Sequence, residues 1–258
     1  MKGVHHHFSR IASRYRDLRT TDLEPILFIK ERLQELARID AADIGCGGGR
    51  YDVKLYDHLG DRLYLICIDE NKSMLDELTK NLNRNRVKNF KAVKAPAENL
   101  PLSENSLDCM FSFNAVHHFS LLDFFKETSR VLRDDGRLFI YTRLQSQNKK
   151  NIWGRFFPKF YEKEKRLYTL DEFREVLNSA PILKLESIEY FKYRRRASLE
   201  WLMTQAKHHH YSTFYLYDEK EFDESLEEFK ENISINFENP DDIFWDDENI
   251  MFNIRKSS

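Results

Sequence analysis

The sequence predicts an α/β protein built on a doubly wound, mostly parallel sheet. Apolar runs with strand character alternate repeatedly with amphipathic helical segments between residues 39 and 142, as in consecutive β-α units. The run RLYLICI at 62–68 is almost continuously apolar, which suits a strand buried on both faces. A glycine-rich turn, AADIGCGGGR at 41–50, joins the first run to a helix, and bare glycines there let backbone N–H groups reach a ligand.

The composition is that of a globular protein of ordinary size. The chain has 258 residues, 20 of them Phe and 12 Tyr, with 41 Lys and Arg against 43 Asp and Glu. This balance excludes a molecule-wide basic surface for nucleic acid and leaves a local patch open. Cys46, Cys67 and Cys109 lie in or beside apolar runs without a disulfide framework, so we expect reduced thiols. Since no apolar leader or membrane-length run is present, we expect a cytoplasmic protein.

Periodicity places the individual elements. An apolar face predicts a first helix over 8–18, and Thr21 or Asp22 is expected to cap a second helix that carries the stripe Ile26, Ile29, Leu33 and Leu36. The further predicted helices cover about 51–59, 73–83 and 121–132, and the strands cover about 39–44, 62–68, 90–95, 107–113, 136–142, 183–193 and 249–255.

The spacing of the glycine turn separates two kinds of nucleotide site. The dinucleotide fingerprint G-x-G-x-x-G, started at Gly45, requires a glycine where Arg50 stands. The observed order, Asp43-x-Gly45-x-Gly47-x-Gly49, resembles the first motif of the class I S-adenosylmethionine-dependent methyltransferases. A plain glycine-rich turn is the alternative.

The resemblance extends over about 39–143. Ile68, Asp69, Ser73, Met74 and Leu75 resemble the second motif of the family, in which the acidic residue accepts hydrogen bonds from both ribose hydroxyls. A merely solvated aspartate at a strand end is the alternative for Asp69. In the third region the chain keeps Ala97, Glu98, Leu100, Pro101, Asp108, His117 and His118.

One position departs from the family. The family aspartate that meets the adenine amino group falls on Pro96, so adenine recognition is assigned to the backbone of Ala97 and to Glu98. The resemblance implies S-adenosyl-L-methionine as cofactor, no metal, and the following cofactor-binding set: Tyr15, Asp43, Gly45, Cys46, Gly47, Asp69, Glu70, Ala97, Glu98 and Asn114. It also implies a seven-stranded Rossmann-like sheet.

Two long insertions, about 144–168 and 194–247, interrupt the last third of the chain. We expect them to form an α-helical cap over the methyl end of the cofactor, because long insertions in compact domains are usually functional. The predicted organisation is therefore 1–38 as N-terminal helices covering the cofactor, 39–143 as the binding core, and 144–258 as the end of the sheet with the cap.

Several features of the insertions are open to two interpretations. The aromatic residues between 153 and 161, interleaved with Lys and Arg, either stack nucleic-acid bases or form the core of the cap. The run Arg194 to Arg196 is either an anion site or a solvated strand end. The triplet His208 to His210 lacks further ligands at metal-binding spacing.

The sequence therefore predicts a methyltransferase that acts on a small molecule, most similar to the quinone-biosynthesis C-methyltransferases. A second hypothesis is a tRNA methyltransferase, because the segment from His117 to Lys149 also resembles the wobble-uridine enzymes. A third is a catalytically inactive regulatory module that binds S-adenosylmethionine. His117 and His118 are the candidate general bases, or alternatively they only shape the turn after a strand. Weaker candidates for the acceptor pocket are Tyr15, Tyr141, Arg143 and Tyr211.

Overall fold

The computed structural model describes residues 20–257, and the sheet in this part of the chain has seven strands in the order β3-β2-β1-β4-β5-β7-β6. The helix predicted over 8–18, with Tyr15, lies outside the described residues. The strands are β1 Ile39–Ile44, β2 Leu63–Asp69, β3 Phe90–Lys94, β4 Leu107–Phe113, β5 Leu132–Thr142, β6 Leu183–Ala197 and β7 Ile243–Lys256. The helices are α1 Glu24–Arg32, α2 Arg50–Leu59, α3 Lys72–Arg84, α4 Leu121–Val131, α5 Gln145–Lys150, α6 Ile152–Phe156, α7 Phe160–Lys163, α8 Leu170–Asn178, α9 Leu199–Lys207 and α10 Glu219–Asn236.

The pairing of the strands creates a switch point beside β1. β1 pairs in parallel with both β2 and β4, β2 with β3, and β4 with β5, whereas β5 and β7 run antiparallel. The chain therefore moves outward from β1 to β3 and then returns to the other side of β1. Ligands of open α/β sheets bind at the carboxyl ends of the strands where this reversal occurs. The predicted doubly wound, mostly parallel, Rossmann-like sheet is confirmed.

The chain divides into two compact units. The described part of the first comprises 20–142, Leu170–Phe191 and 250–257. Its core lies between the sheet and the helices beside it, where Leu55 of α2 and Leu78 of α3 are buried with the strand residues Ala41, Leu65 and Phe111. The inward residues of these strands are almost all apolar because both faces of the sheet are covered.

The second unit has a core of its own, rich in aromatic side chains. Its described parts are Arg143–Thr169 and Lys192–Asn249. Trp153 is stacked on Phe229 with ring centroids 4.9 Å apart, and Phe157, Phe160 and Phe214 are buried around them. Most of the aromatic residues of the first insertion are thus core residues. The predicted domain boundaries, and the role of the insertions as a cover for the cofactor, stay predictions.

The arginine run of the second unit is neutralised by carboxylates. Arg194 pairs with Asp246 at 3.0 Å, Arg195 with Asp247 at 3.4 Å, and Arg196 with Asp242. These aspartates belong to β7 and the turn before it, and the arginines belong to β6. The guanidinium groups therefore contact carboxylates of the chain, which accounts for the arginine run without an anion ligand.

The cap predicted for the second helix is wrong. α1 begins after Leu23 with Pro25 in its first turn, and no side chain caps it. Proline is favoured there because its missing N–H is not required by the helix. Asp22 instead accepts a hydrogen bond from the Tyr141 hydroxyl at 2.8 Å.

Candidate functional site

The glycine loop after β1 is joined to the end of β2 by backbone hydrogen bonds. Gly45 N and Cys46 N both donate to Ile68 O, at 2.8 and 3.2 Å. Gly47 N donates to the Asp69 carboxylate oxygen Oδ2 at 2.9 Å. The first two predicted motifs therefore meet at one edge of the sheet.

Gly45 occupies a position that no other residue fits. Its φ is +72°, and a Cβ built on it would lie 2.5 Å from Ala115 Cβ and 2.9 Å from Phe119 Cζ. Both distances are shorter than carbon atoms tolerate, so the segment after β4 packs directly on the bare backbone. In contrast, a Cβ on Gly48 would meet nothing within 4 Å. The loop is thus closely packed against the protein at Gly45, and it has open space beside it at Gly48.

Asp69 is held in one orientation by two backbone donors. Asn71 N donates to Oδ1 at 2.8 Å, and Gly47 N donates to Oδ2. A carboxylate oxygen accepts more than one hydrogen bond, so each can still accept from a ligand hydroxyl. The Asn71 side chain caps α3 by accepting from Ser73 N at 2.9 Å. A fixed carboxylate beside a glycine loop suits the recognition of a vicinal diol.

α3 also fixes the far side of the loop. The Asn81 amide donates to Gly48 O at 3.2 Å and to Gly49 O at 3.3 Å. Gly49 precedes α2 with φ +75°, and a Cβ there would lie 3.1 Å from Leu78 Cγ. Asn81 thus fixes the carbonyl groups of the loop, while the N–H groups of Gly45, Cys46, Gly47 and Gly49 donate within the protein.

A pair of buried acids lies directly behind the loop. Asp43, the penultimate residue of β1, is 1% exposed, and Asp52, in the first turn of α2, is 0% exposed. Burial raises the pKa of Asp52 to about 7. Burial, and then the charge of Asp52, hold the pKa of Asp43 well above its usual range. These surroundings disfavour the ionisation of both carboxyl groups at once.

The segments after β3 and β4 complete the edge of the sheet. Ala97 is buried and Glu98 is partly buried, and a Glu98 carboxylate oxygen accepts from Ser120 N, just before α4, at 2.7 Å. Asn114 has φ +55° and donates from its backbone to Tyr141 O at 2.7 Å. Glu70 is exposed.

His117 and His118 lie on a single helical turn, Val116–His118, that follows β4. Their ring centroids are 4.1 Å apart, and both side chains are partly buried. This turn belongs to the segment whose Ala115 and Phe119 pack on Gly45, so the histidines are near the glycine loop.

Residues 42–140 match the family described as "Methyltransferase domain". This segment is a methyltransferase domain. The seven-stranded sheet and the glycine loop are those that the class I resemblance implies, so the predicted family is confirmed.

Curated relatives of the methyltransferase domain act on different acceptors. The chain is 28% identical over 183 residues to the mouse (Mus musculus) tRNA (carboxymethyluridine(34)-5-O)-methyltransferase ALKBH8, and the alignment covers 69% of this chain and 24% of that protein. It is 31% identical over 164 residues to the ubiquinone/menaquinone biosynthesis C-methyltransferase UbiE of Rickettsia prowazekii, and that alignment covers 60% of this chain and 64% of the relative. The chain thus aligns with less than two thirds of either relative.

A solved structure shares the fold over most of the chain. The geranyl diphosphate C-methyltransferase of Streptomyces coelicolor A3(2), determined with Mg²⁺, geranyl diphosphate and S-adenosyl-L-homocysteine, superposes with a TM-score of 0.53 and 13% sequence identity. The match covers 89% of this chain and 79% of that one. At this identity it shows a common fold alone.

The structure brings some of the predicted site residues of the methyltransferase domain into direct contact and separates others. Gly47 and Asp69 are hydrogen-bonded, and Gly45 and Cys46 join the same edge. Tyr15 lies outside the described residues. Of the weaker acceptor candidates, Tyr141 is fully buried. Arg143 pairs with Asp247 at 2.5 Å, and its guanidinium lies 3.4 Å from the Tyr211 hydroxyl.

Sequence reasoning missed Asp52 and Asn81. Asp52 shares the buried face of α2 with Leu55 and Leu59, and Asn81 stands between Leu78 and Leu82 on the buried face of α3. A polar residue at an apolar position of a helical stripe was the available signal. Such a residue is buried only when it has a specific partner or function.

Within residues 20–257, no three or more His, Cys, Asp or Glu side chains are grouped as metal ligands. His210 is buried and hydrogen-bonded through Nδ1 to Gln205 O at 3.0 Å, so it belongs to the core of the second unit. The described helices include none with the length and hydropathy that crossing a bilayer requires.

Proposed function

We propose that this chain binds S-adenosyl-L-methionine and transfers its methyl group to a small-molecule acceptor. The observation that carries the proposal is the Asp69 carboxylate, fixed by Gly47 N and Asn71 N beside a glycine loop at the switch point of the sheet. When bound, the cofactor supplies a methyl group already activated on a sulfonium ion. The chain then contributes position and exclusion of water.

The residues present fit this cofactor. Asp69 would accept from the ribose hydroxyls, and the open side of the loop at Gly48 would receive the amino-acid end, because no atom lies within 4 Å of a Cβ built there. The N–H groups of Gly45, Cys46 and Gly47 already donate within the protein and hold the loop in shape. The backbone of Ala97, together with Glu98, would meet the adenine, and one Glu98 oxygen already accepts from Ser120 N.

The charges and aromatic residues of the second unit support a small acceptor over RNA. A surface that binds single-stranded RNA offers exposed rings for stacking and free cations for phosphates. Trp153, Phe157 and Phe160 are at most 3% exposed, and Arg194, Arg195 and Arg196 are each paired with an aspartate. The relative UbiE is named for the biosynthesis of ubiquinone and menaquinone, which are small molecules.

His117 and His118 are the groups proposed to accept a proton from the acceptor. A neutral hydroxyl, enol or amine loses a proton during methylation, and imidazole accepts one efficiently near neutral pH. The turn that carries them follows β4 and packs beside the glycine loop. The same residues serve either small or nucleic-acid acceptors, so they do not discriminate between the two.

A tRNA acceptor is the second candidate, because the mouse ALKBH8 match covers 69% of this chain. Its test is retardation of labelled tRNA over a salt series, since binding through phosphates weakens steeply with salt. For the first candidate we expect no retardation at physiological ionic strength. A salt-sensitive shift, followed by methylation of the tRNA, would establish the second.

The cofactor assignment is tested with Asp69→Ala and isothermal titration of S-adenosylhomocysteine. We expect binding to weaken by about 1–3 kcal/mol, or roughly five- to 150-fold, through the loss of charge-assisted hydrogen bonds. The control is Asp76→Ala in α3, whose exposed carboxylate forms an ion pair with Lys72. Equal affinity in Asp69→Ala and in the wild type would refute the ribose role.

The acceptor class is tested with radiolabelled S-adenosylmethionine and fractionated cell extract. We expect label in the low-molecular-weight fraction. Label in the RNA fraction would favour the tRNA candidate. Binding of the cofactor without transfer to any fraction would instead support a regulatory module that lacks catalysis.

A further inference from the structure

We propose that Asp43 and Asp52 hold one proton between them beneath the glycine loop and release it when a ligand with a cationic amino group occupies that loop. Nothing in the glycine motif itself requires a second acid on α2. The inference deepens the proposed function and rests on it, because the ligand concerned is the amino-acid end of the cofactor.

The two carboxyl groups form a sealed pair. After burial, the charge of Asp52 is the largest cause of the raised pKa of Asp43, so the two groups act on each other. Asp43 Oδ1 and both side-chain oxygens of Asp52 are buried and have no hydrogen-bond partner among the described residues. A second negative charge without a compensating partner is strongly disfavoured in such surroundings, so one proton stays with the pair.

The pair lies immediately below the surface that the ligand would occupy. Asp52 Oδ2 is 3.3 Å from the position that a Cβ on Gly49 would take, and Asp43 is two residues before Gly45. Asp52 therefore lies directly against the backbone of the loop. Inside low-dielectric protein, a charge on a ligand at the loop acts on a carboxyl group this near without direct contact.

The charged surroundings of the pair are acidic. Asp69 acts on Asp43 from the end of β2, and the thiols of Cys46 and Cys67 and the hydroxyl of Tyr56 are nearby weak acids whose pKa values are raised by burial first and then by charges that include Asp52. Within the described chain, no lysine or arginine contributes to the pKa shift of Asp43 or Asp52. A ligand cation would thus be the first positive charge to act on the pair.

The sign of the effect follows from linkage. Burial places the pKa of Asp52 at about 7, and a nearby cation favours the ionised form and lowers that pKa. On binding, the O–H bond of the shared proton breaks, the electron pair stays on the carboxylate oxygen, and the proton passes to solvent. Binding that releases a proton becomes tighter as pH rises, until the free protein has itself lost the proton.

The test is titration calorimetry with wild-type protein near pH 7 in two buffers of different ionisation enthalpy. We expect S-adenosylhomocysteine to release roughly half a proton, and its affinity to rise about three- to tenfold between pH 6 and pH 7.5. The matched ligand is 5′-methylthioadenosine, which has the nucleoside without the amino-acid end and should release none. Infrared difference spectra of the wild type should show loss of a protonated carboxyl band on binding of the first ligand alone.

Asp52→Asn assigns the proton to the pair. The amide is isosteric and has no proton that it can release, so we expect the buffer dependence to vanish. His117 and His118, on the segment that packs against Gly45, are unchanged in this variant, and any proton that they release would persist. Equal heats in both buffers for the wild type, or release that survives in Asp52→Asn, would overturn the inference. Failure of the wild type to bind S-adenosylhomocysteine at any pH would overturn the proposed function, and the inference with it.

Discussion

At the scale of single residues, the glycine motif combines two different requirements. Gly45 is required for packing, since the segment after β4 occupies the space of its side chain, and Gly49 is required for the left-handed turn into α2. Gly48 meets neither requirement, because it has open space around it and no positive φ. Each glycine of the motif therefore meets its own requirement, and substitution of one glycine at a time can distinguish these requirements.

Gly45→Ala is expected to destabilise the fold by about 1–3 kcal/mol, since the new Cβ would lie 2.5 Å from Ala115 and the residue would keep φ +72°. Urea denaturation followed by circular dichroism measures this change. Gly48→Ala is the matched control, and its unfolding free energy should stay within about 0.5 kcal/mol of the wild type. Equal stability of the two variants would show that Ala115 and Phe119 move aside freely.

The buried acid pair lowers the stability of the folded protein near neutral pH, which fits a binding role better than a structural one. The raised pKa of Asp52 means that the folded state holds a proton that the unfolded chain has lost, so stability falls as pH rises toward 7. An apolar residue on the buried face of α2 would avoid this loss. A device that lowers stability at neutral pH is expected at a site that binds a ligand.

At the scale of elements, α4 fixes the segment that follows β3. Glu127 accepts from Leu100 N at 2.7 Å, and Arg130 donates to Leu100 O and Leu102 O at 3.0 and 2.7 Å. The two side chains also form an ion pair with each other, and the hydrogen bond from Arg130 is the main cause of the lowered pKa of Glu127. Side chains of one helix thus supply hydrogen-bond partners for the backbone N–H and C=O groups of the segment between β3 and β4, which has no neighbouring strand to do so.

Glu127→Ala is expected to lose about 1–3 kcal/mol of stability, because it leaves Leu100 N without its acceptor and removes the carboxylate partner of Arg130. Since its pKa is lowered, the contribution of Glu127 is present above its ordinary pKa and is lost as pH falls below it. Chemical denaturation at pH 7 and at pH 4 measures both effects. Lys126→Ala, which removes an exposed pair with Asp123 on the same helix, should unfold like the wild type. A loss in Glu127→Ala no larger than in this control would contradict the tethering role.

The sequence predicts elements best where a local pattern decides the structure. β1 and β4 have the predicted bounds because a short apolar run in each is buried on both faces. β5 instead begins at Leu132, since Leu132 pairs with Leu107 before a bulge in the ladder. β6 continues to Ala197 through residues whose arginines pair with aspartates around β7, a partner that is distant in sequence. Asp52 escaped prediction for the same reason, because its partner Asp43 belongs to another element.

At the scale of the whole molecule, the chain has two apolar cores of different composition. The first is mainly aliphatic around the sheet, and the second is mainly aromatic around Trp153. The near-neutral charge of −2 gives the protein as a whole no general attraction for polyanions. Any selectivity for an acceptor must therefore come from local chemistry rather than from the overall field. All described residues proposed to hold the cofactor belong to the first unit.

This separation makes a prediction about Trp153, which is 3% exposed and contacts Phe229, Phe214 and His210. Trp153→Ala should lower the free energy of unfolding by about 3–5 kcal/mol through the cavity that it leaves. The affinity for S-adenosylhomocysteine should stay within about twofold under conditions where the variant is folded, because no proposed cofactor contact is removed. Urea denaturation measures the first quantity and titration calorimetry the second, both at about 15 °C, near the temperature at which small proteins are most stable.

Trp201→Ala is the control, since that tryptophan is 42% exposed and its loss should change neither quantity. A folded Trp153→Ala variant that no longer binds the ligand would show that cofactor binding depends on the second core as well as on the glycine loop.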